Sequence, residues 1–180
     1  MAQLTNHFFD LFGMPVAFDI DQTALKNTFL QLQKQHHPDN ADDKLKAEQN
    51  TALINHAYQI LSRYDSRAVY LLELANIGFD SDKSISDEGF LMQMMEYRMA
   101  LEDADFDKDD EQIKDIGGQV SQLLLSTAKT FNESYQNQDW QNAQIHAQKL
   151  KFLTNLHQDC VEKLNQLITL TTNDDDELYV

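Results

Sequence analysis

Hydrophobic positions recur at helical spacing through most of this chain. Leu25, Phe29 and Leu32 follow one another at four and three residues, which is one face of a helix. Ile20 and Asp21 stand just before them as a hydrophobic staple and an N-cap. Pro38 has no backbone N–H and disfavours helical φ/ψ at His37, so this helix is expected to end at His36. A second pattern, Ala47, Ile54, Ala57, Tyr58 and Leu61, predicts a helix from about Lys44 to Arg63. The pair would form an antiparallel hairpin with its polar loop at the tip.

Further helices are predicted on the same grounds. A short one runs from about Asn6 to Phe12 and stops at Gly13. Another covers Asp65 to Asn76, with Ala68, Leu71, Leu72 and Ala75 on one side, and is read as connecting two domains. Three longer helices follow. The first starts at a Ser86 cap and ends near Asp103. The second spans Asp109 to Gln136 with Ile113, Ile116, Val120, Leu123, Leu124, Ala128, Phe131 and Tyr135 inward. Gly117-Gly118 is expected to weaken or bend it. The third runs from an Asp139 cap to about Leu170, with Ala143, Ala147, Leu150, Leu153, Cys160, Leu164 and Leu167 inward. Three long amphipathic helices joined by short connections make an antiparallel bundle. The fold class is therefore all-α: a helical hairpin domain followed by a three-helix bundle.

Charge places the boundary between them. Of the net −16, residues 1–77 contribute −3 and residues 78–180 contribute −13. The shift falls at Gly78-Phe79-Asp80-Ser81-Asp82-Lys83-Ser84, which reads as a linker, so the domains are taken as 1–77 and 78–170. Residues 171–180 read as an acidic, disordered tail. An acidic chain without clustered Lys and Arg is a poor nucleic-acid ligand. No run of eighteen apolar residues is present, and the N-terminus has no signal-peptide pattern, so no membrane span is expected. Cys160 is the only cysteine, which suits a reducing compartment and a cytoplasmic protein. It cannot by itself hold an iron–sulfur cluster, and its inward position predicts a small buried hydrophobe.

Enzyme chemistry is hard to find. There is no glycine-rich phosphate loop, no Ser-His-Asp arrangement and no metal-ligand spacing among His7, His56, His146 and His157. No cofactor is implied. His36, His37 and Asp39 offer the one cluster from which a metal-dependent hydrolase could be built, but adjacent histidines leaving a helix point in different directions.

His37-Pro38-Asp39 between two matched helices, preceded by Phe8-Phe9-Asp10-Leu11-Phe12-Gly13, resembles a J-domain. That module stimulates ATP hydrolysis by DnaK-type chaperones and is not itself catalytic. J-domains present positive charge on the helix before this loop; here Lys26 and Lys34 are available, eight residues apart. Asn40 stands where lysine often follows the tripeptide, so electrostatic steering is expected to be weak.

The second domain concentrates four of six methionines in Phe90-Leu91-Met92-Gln93-Met94-Met95-Glu96-Tyr97-Arg98-Met99. Met92, Met95 and Met99 form a stripe, with Met94, Arg98 and Leu101 on a neighbouring side. Thioethers are flexible, polarisable and common on partner-accepting surfaces. Phe152 sits about 100° around its helix from Leu153, beside Lys149 and Lys151, as an interface anchor would.

Taken together, these segments resemble the HscB family, the J-protein co-chaperones of iron–sulfur cluster assembly. Further matching stretches are Ile54-Asn55-His56-Ala57-Tyr58-Gln59-Ile60-Leu61, Arg67-Ala68-Val69-Tyr70-Leu71-Leu72 and Lys149-Leu150-Lys151-Phe152-Leu153. The resemblance implies two partners, an HscA-like DnaK-type chaperone and an IscU-like scaffold protein. It implies that His37, Pro38 and Asp39, with Lys34 and Lys26, meet the chaperone. It implies that Leu91, Met92, Met95, Glu96 and Phe152 meet the scaffold. Two departures bear on this: Met99 stands where an acidic residue is expected, and Tyr64-Asp65 replaces Pro-Leu before the connecting helix. A general J-protein with a broad set of unfolded clients is the alternative reading.

Overall fold

The computed structural model describes residues 7–36, 43–80 and 85–176, and every regular element among them is a helix. In chain order these are α1 (Phe8–Leu11), α2 (Gln22–Gln35), α3 (Lys44–Ser62), α4 (Tyr64–Leu74), α5 (Glu88–Phe106), α6 (Asp110–Gln136) and α7 (Trp140–Asp176). They divide into two compact units, residues 1–79 and 80–180.

In the first unit, α2 and α3 pack together and α1 and α4 flank α3. Asp21 caps α2 by accepting from the backbone N–H groups of Thr23 and Ala24, at 2.8 and 3.0 Å. Phe9, Leu25, Ile54, Ala57, Leu61, Ala68, Leu71 and Leu72 are fully buried. Phe29 is only half-buried, and it stacks on Tyr58 at 4.0 Å between ring centroids. α1 is tied down by Tyr70: its hydroxyl accepts from the Phe8 N–H at 2.9 Å, and its ring stacks on Phe8.

Arg67 is the largest fully buried side chain. Its guanidinium lies 5.0 Å from the ring centroids of both Phe18 and Tyr64, and Nη1 donates to the Leu61 carbonyl. Arg63 donates to both carboxylate oxygens of Asp65, from Nε at 3.0 Å and Nη2 at 2.9 Å. The departure at Tyr64-Asp65 thus has a physical replacement. Tyr64 covers the buried guanidinium, while Asp65 in the first turn of α4 binds the residue that precedes the helix.

The second unit is the expected three-helix bundle, with α6 packed along α7 and α5 against both. Ile113, Ile116, Val120, Ala128, Phe131, Ala143, Ala147, Leu150, Leu153, Leu156 and Cys160 form its core. Gly117-Gly118 does not interrupt α6. A Cβ at Gly117 would lie 3.5 Å from the Cys160 Cβ, so this glycine sits where α6 and α7 approach closely.

Three boundaries of the second unit differ from the sequence expectation. α5 is capped by Asp87, not Ser86: the Asp87 carboxylate accepts from the Phe90 N–H at 3.0 Å. It also ends at Phe106, past Asp103, because Lys108 adopts left-handed φ (54°) and closes a C-terminal turn, with Asp109 N–H on the Ala104 carbonyl at 2.8 Å. Finally, α7 continues past Leu170 to Asp176, through the first part of the segment expected to be a disordered tail. Neither Gly nor Pro occurs there to stop it.

Candidate functional site: two partner-facing surfaces

The first surface is the face of α2 and its C-terminal end. Lys26, Leu30 and Lys34 are spaced by four residues, so they share one side of α2. All three are exposed, Leu30 by 55%. Lys34 lies in the last turn, where positive charge is favoured by the helix dipole. At the C-cap, the His36 N–H donates to the Leu32 carbonyl at 3.0 Å. The His36 carbonyl accepts from the Thr51 hydroxyl of α3, also at 3.0 Å. One helical turn earlier, Gln33 donates to Asn55 of α3. At the start of α3, Asp43 caps the helix by accepting from the Lys46 N–H at 3.1 Å. His37, Pro38 and Asp39 lie outside the described residues, between these two fixed ends.

The second surface lies on α5 and α7. At 100° per residue, Met92, Met95, Glu96 and Met99 fall within about 100° of helix circumference. Phe90, Met94 and Leu101 lie roughly opposite. Burial follows this division: Met92, Met95 and Met99 are 64%, 62% and 57% exposed, whereas Met94 is 4% exposed. Leu91, to one side, is half-buried and Glu96 is exposed. The bundle core therefore accounts for Met94 and leaves the other three methionines in solvent.

Phe152 of α7 lies at the N-terminal end of α5, on the Phe90 side of that helix. It is 40% exposed and meets Phe90 edge-on, with centroids 6.3 Å apart. Lys149, one turn before Phe152, donates to Asp87 at 2.5 Å and places its ammonium 5.1 Å from the centre of the Phe90 ring. The Lys149 hydrogen bond, supported by the Phe90 N–H, holds the Asp87 carboxyl below its ordinary pKa. Asp87 thus starts α5 and fastens that start to α7. Sequence reasoning placed Lys149 beside Phe152 but missed this pairing, because Asp87 and Lys149 are 62 residues apart.

Cys160 is buried as expected, and burial pushes its thiol pKa up, away from nucleophilic use. Among the described residues, no group of three His, Cys, Asp or Glu side chains is placed to hold a metal ion. His36 is described, but its two proposed co-ligands are not. Among the described residues, no helix is long and apolar enough to cross a membrane.

Comparison with known proteins assigns both units. Residues 8–70 match the DnaJ domain, and residues 86–173 match the HSCB C-terminal oligomerisation domain. The co-chaperone protein HscB homolog of Acinetobacter baylyi is 41% identical over 163 residues, which cover 91% of this chain and 93% of the relative. The chain belongs to the HscB co-chaperone family. The HscB homolog of Psychromonas ingrahamii is 36% identical over 157 residues, covering 83% of this chain and 92% of that one. Among solved structures, chaperone HscB from Vibrio cholerae superposes with a TM-score of 0.74 at 32% identity, covering 89% of this chain and 99% of its own. Human co-chaperone HscB reaches the same TM-score at 24% identity, over 89% of this chain and 83% of its own, and shares the fold. The HscB assignment gives the first unit its class of partner, since a DnaJ domain works with an Hsp70-type chaperone.

Proposed function

We propose that this chain is a non-enzymatic adaptor for iron–sulfur cluster assembly, presenting an IscU-type scaffold protein to an HscA-like DnaK-type ATPase. His37, Pro38 and Asp39 act on the ATPase, and Lys26 and Lys34 orient the approach. Leu91, Met92, Met95, Glu96 and Phe152 hold the scaffold. The chain has no hydrolytic step of its own. It raises hydrolysis in the partner while the bound scaffold is within reach, so that ATP turnover coincides with client capture. The cytoplasm suits this task, and a single buried thiol agrees with a reducing compartment.

The observation that carries the reading is the apolar face of α5. Three methionines more than half exposed are built on a bundle whose core is already filled. Burying such side chains against a partner contributes about 1–2 kcal/mol each, enough for a specific complex. Met99 in place of an acidic residue makes the contact more apolar and less dependent on charge.

Calorimetric titration of the full chain with a purified IscU-type scaffold tests this. Saturable one-to-one binding supports the specialised role. Absence of binding, together with suppression of aggregation of unrelated unfolded proteins, would favour a general J-protein instead.

A further inference from the structure

The methionine stripe of α5 is chemically different from an ordinary apolar interface. A leucine surface of the same shape is inert, whereas a thioether sulfur reacts with peroxides. Exposure decides which sulfur reacts, and the four methionines of α5 span the range: 64%, 62% and 57% exposed for Met92, Met95 and Met99, against 4% for Met94. The chain's one thiol is not a competing target, because Cys160 is 1% exposed in the core between α6 and α7. Met92, Met95 and Met99 also share their face with Glu96, which offers only acceptor oxygens to a neighbouring group.

We propose that Met92, Met95 and Met99 are a reversible oxidation site through which peroxide closes the scaffold-binding face. The sulfur lone pair attacks one oxygen of hydrogen peroxide. The S–O bond forms, the O–O bond breaks and water leaves, so sulfur loses two electrons and the peroxide is reduced. A methionine sulfoxide reductase reverses this: the oxygen departs as water, and a dithiol supplied by the reductase system becomes a disulfide. The sulfoxide is a polar acceptor. Carried into an apolar interface, with Glu96 beside it unable to donate, it meets the cost of burying an unsatisfied polar group. Each sulfoxide is expected to weaken binding by about tenfold. This inference rests on the reading of the α5 face as the scaffold site.

The test treats the full chain with hydrogen peroxide, maps the oxidised methionines by mass spectrometry, and titrates the product with a purified IscU-type scaffold. Circular dichroism establishes that the treated protein remains folded. The expected result has three parts. Met92, Met95 and Met99 oxidise several-fold faster than Met94; Kd rises by tenfold or more; and reductase with dithiol restores it. The variant carrying Met92→Leu, Met95→Leu and Met99→Leu, whatever its own starting affinity, is expected to show the same Kd before and after peroxide. Oxidation of Met94 at the same rate, an unchanged Kd in the oxidised chain, or an equal loss in the leucine variant would overturn the proposal. Failure of the untreated chain to bind overturns the scaffold reading itself, and this proposal with it.

Discussion

Phe152 stands edge-on to Phe90, with ring planes at 87°, although 62 residues of chain separate them. The contact holds a 40% exposed aromatic ring against the start of α5. Phe152→Ala is expected to weaken scaffold binding by about 2 kcal/mol, near thirtyfold. It should also lower the stability of the bundle by about 2 kcal/mol, from the edge-to-face pair together with the buried part of the ring. Parallel calorimetry and thermal melts separate the two effects.

Arg67 gives the first unit its most demanding packing. Burial lowers its pKa to about 10, so at neutral pH it remains a cation held between Phe18 and Tyr64. Arg67→Ala removes both ring contacts, leaves the Leu61 carbonyl without this donor and opens a cavity; a loss of about 2 kcal/mol or more is expected. Arg67→Lys should recover little of it, because an ammonium cannot stack between two rings. Denaturant unfolding followed by circular dichroism measures both.

His146 predicts a pH dependence confined to the second unit. Burial, and secondarily the nearby Lys149 charge, lowers its pKa, with Asp139 opposing. The unfolded chain therefore binds more protons at this site than the folded one between the depressed folded pKa and about 6.5. Stability from this group is complete above that range and falls as pH drops through it. The fluorescence of Trp140, the only tryptophan, reports this unit. Its melting temperature should fall between pH 7.5 and 5.5, and His146→Gln should reduce the fall. Asp139 does not confuse the test: its pKa is lowered from 3.8 by Asn142, so its contribution is lost only at more acid pH.

Gln138 links α6 to α7 with φ of 56°, a conformation that costs a side chain about 1 kcal/mol. The Asp139 N–H closes the turn on the Ser134 carbonyl at 2.9 Å, and Asp139 then starts α7. Gln138→Gly should raise stability by about 0.5–1 kcal/mol in a thermal or denaturant melt, with the glycine's greater unfolded-state freedom offsetting part of the gain.

These turns show where the sequence is legible. Helix interiors were readable because apolar spacing is a local signal: the stripe from Ile113 to Phe131 and the core from Ala143 to Cys160 occur as expected. The caps at Asp21 and Asp139 are also readable, since an Asp before a periodic segment has one common use. Lys108 is left-handed with no glycine to announce it, so the sequence expectation ends α5 three residues early. The cap expected at Ser86 falls one residue later, at Asp87, whose carboxylate also binds Lys149 of α7, a contact no local pattern announces. Burial of Arg67 was hidden for the same reason, because Phe18 lies 49 residues away in sequence. On the α5 surface, spacing separated Met92, Met95 and Met99 from Met94. Only packing settled which side was solvent.

The separation of labour between the two units is the centre of the account. The direct measurement is ATP turnover by an HscA-like chaperone with scaffold present, comparing the full chain with His37→Gln and with Phe152→Ala. His37→Gln should abolish stimulation while calorimetry shows scaffold affinity unchanged. Phe152→Ala should keep the stimulation seen without scaffold and lose the added effect of scaffold. Loss of both stimulation and scaffold binding in His37→Gln, with the variant folded, would contradict it.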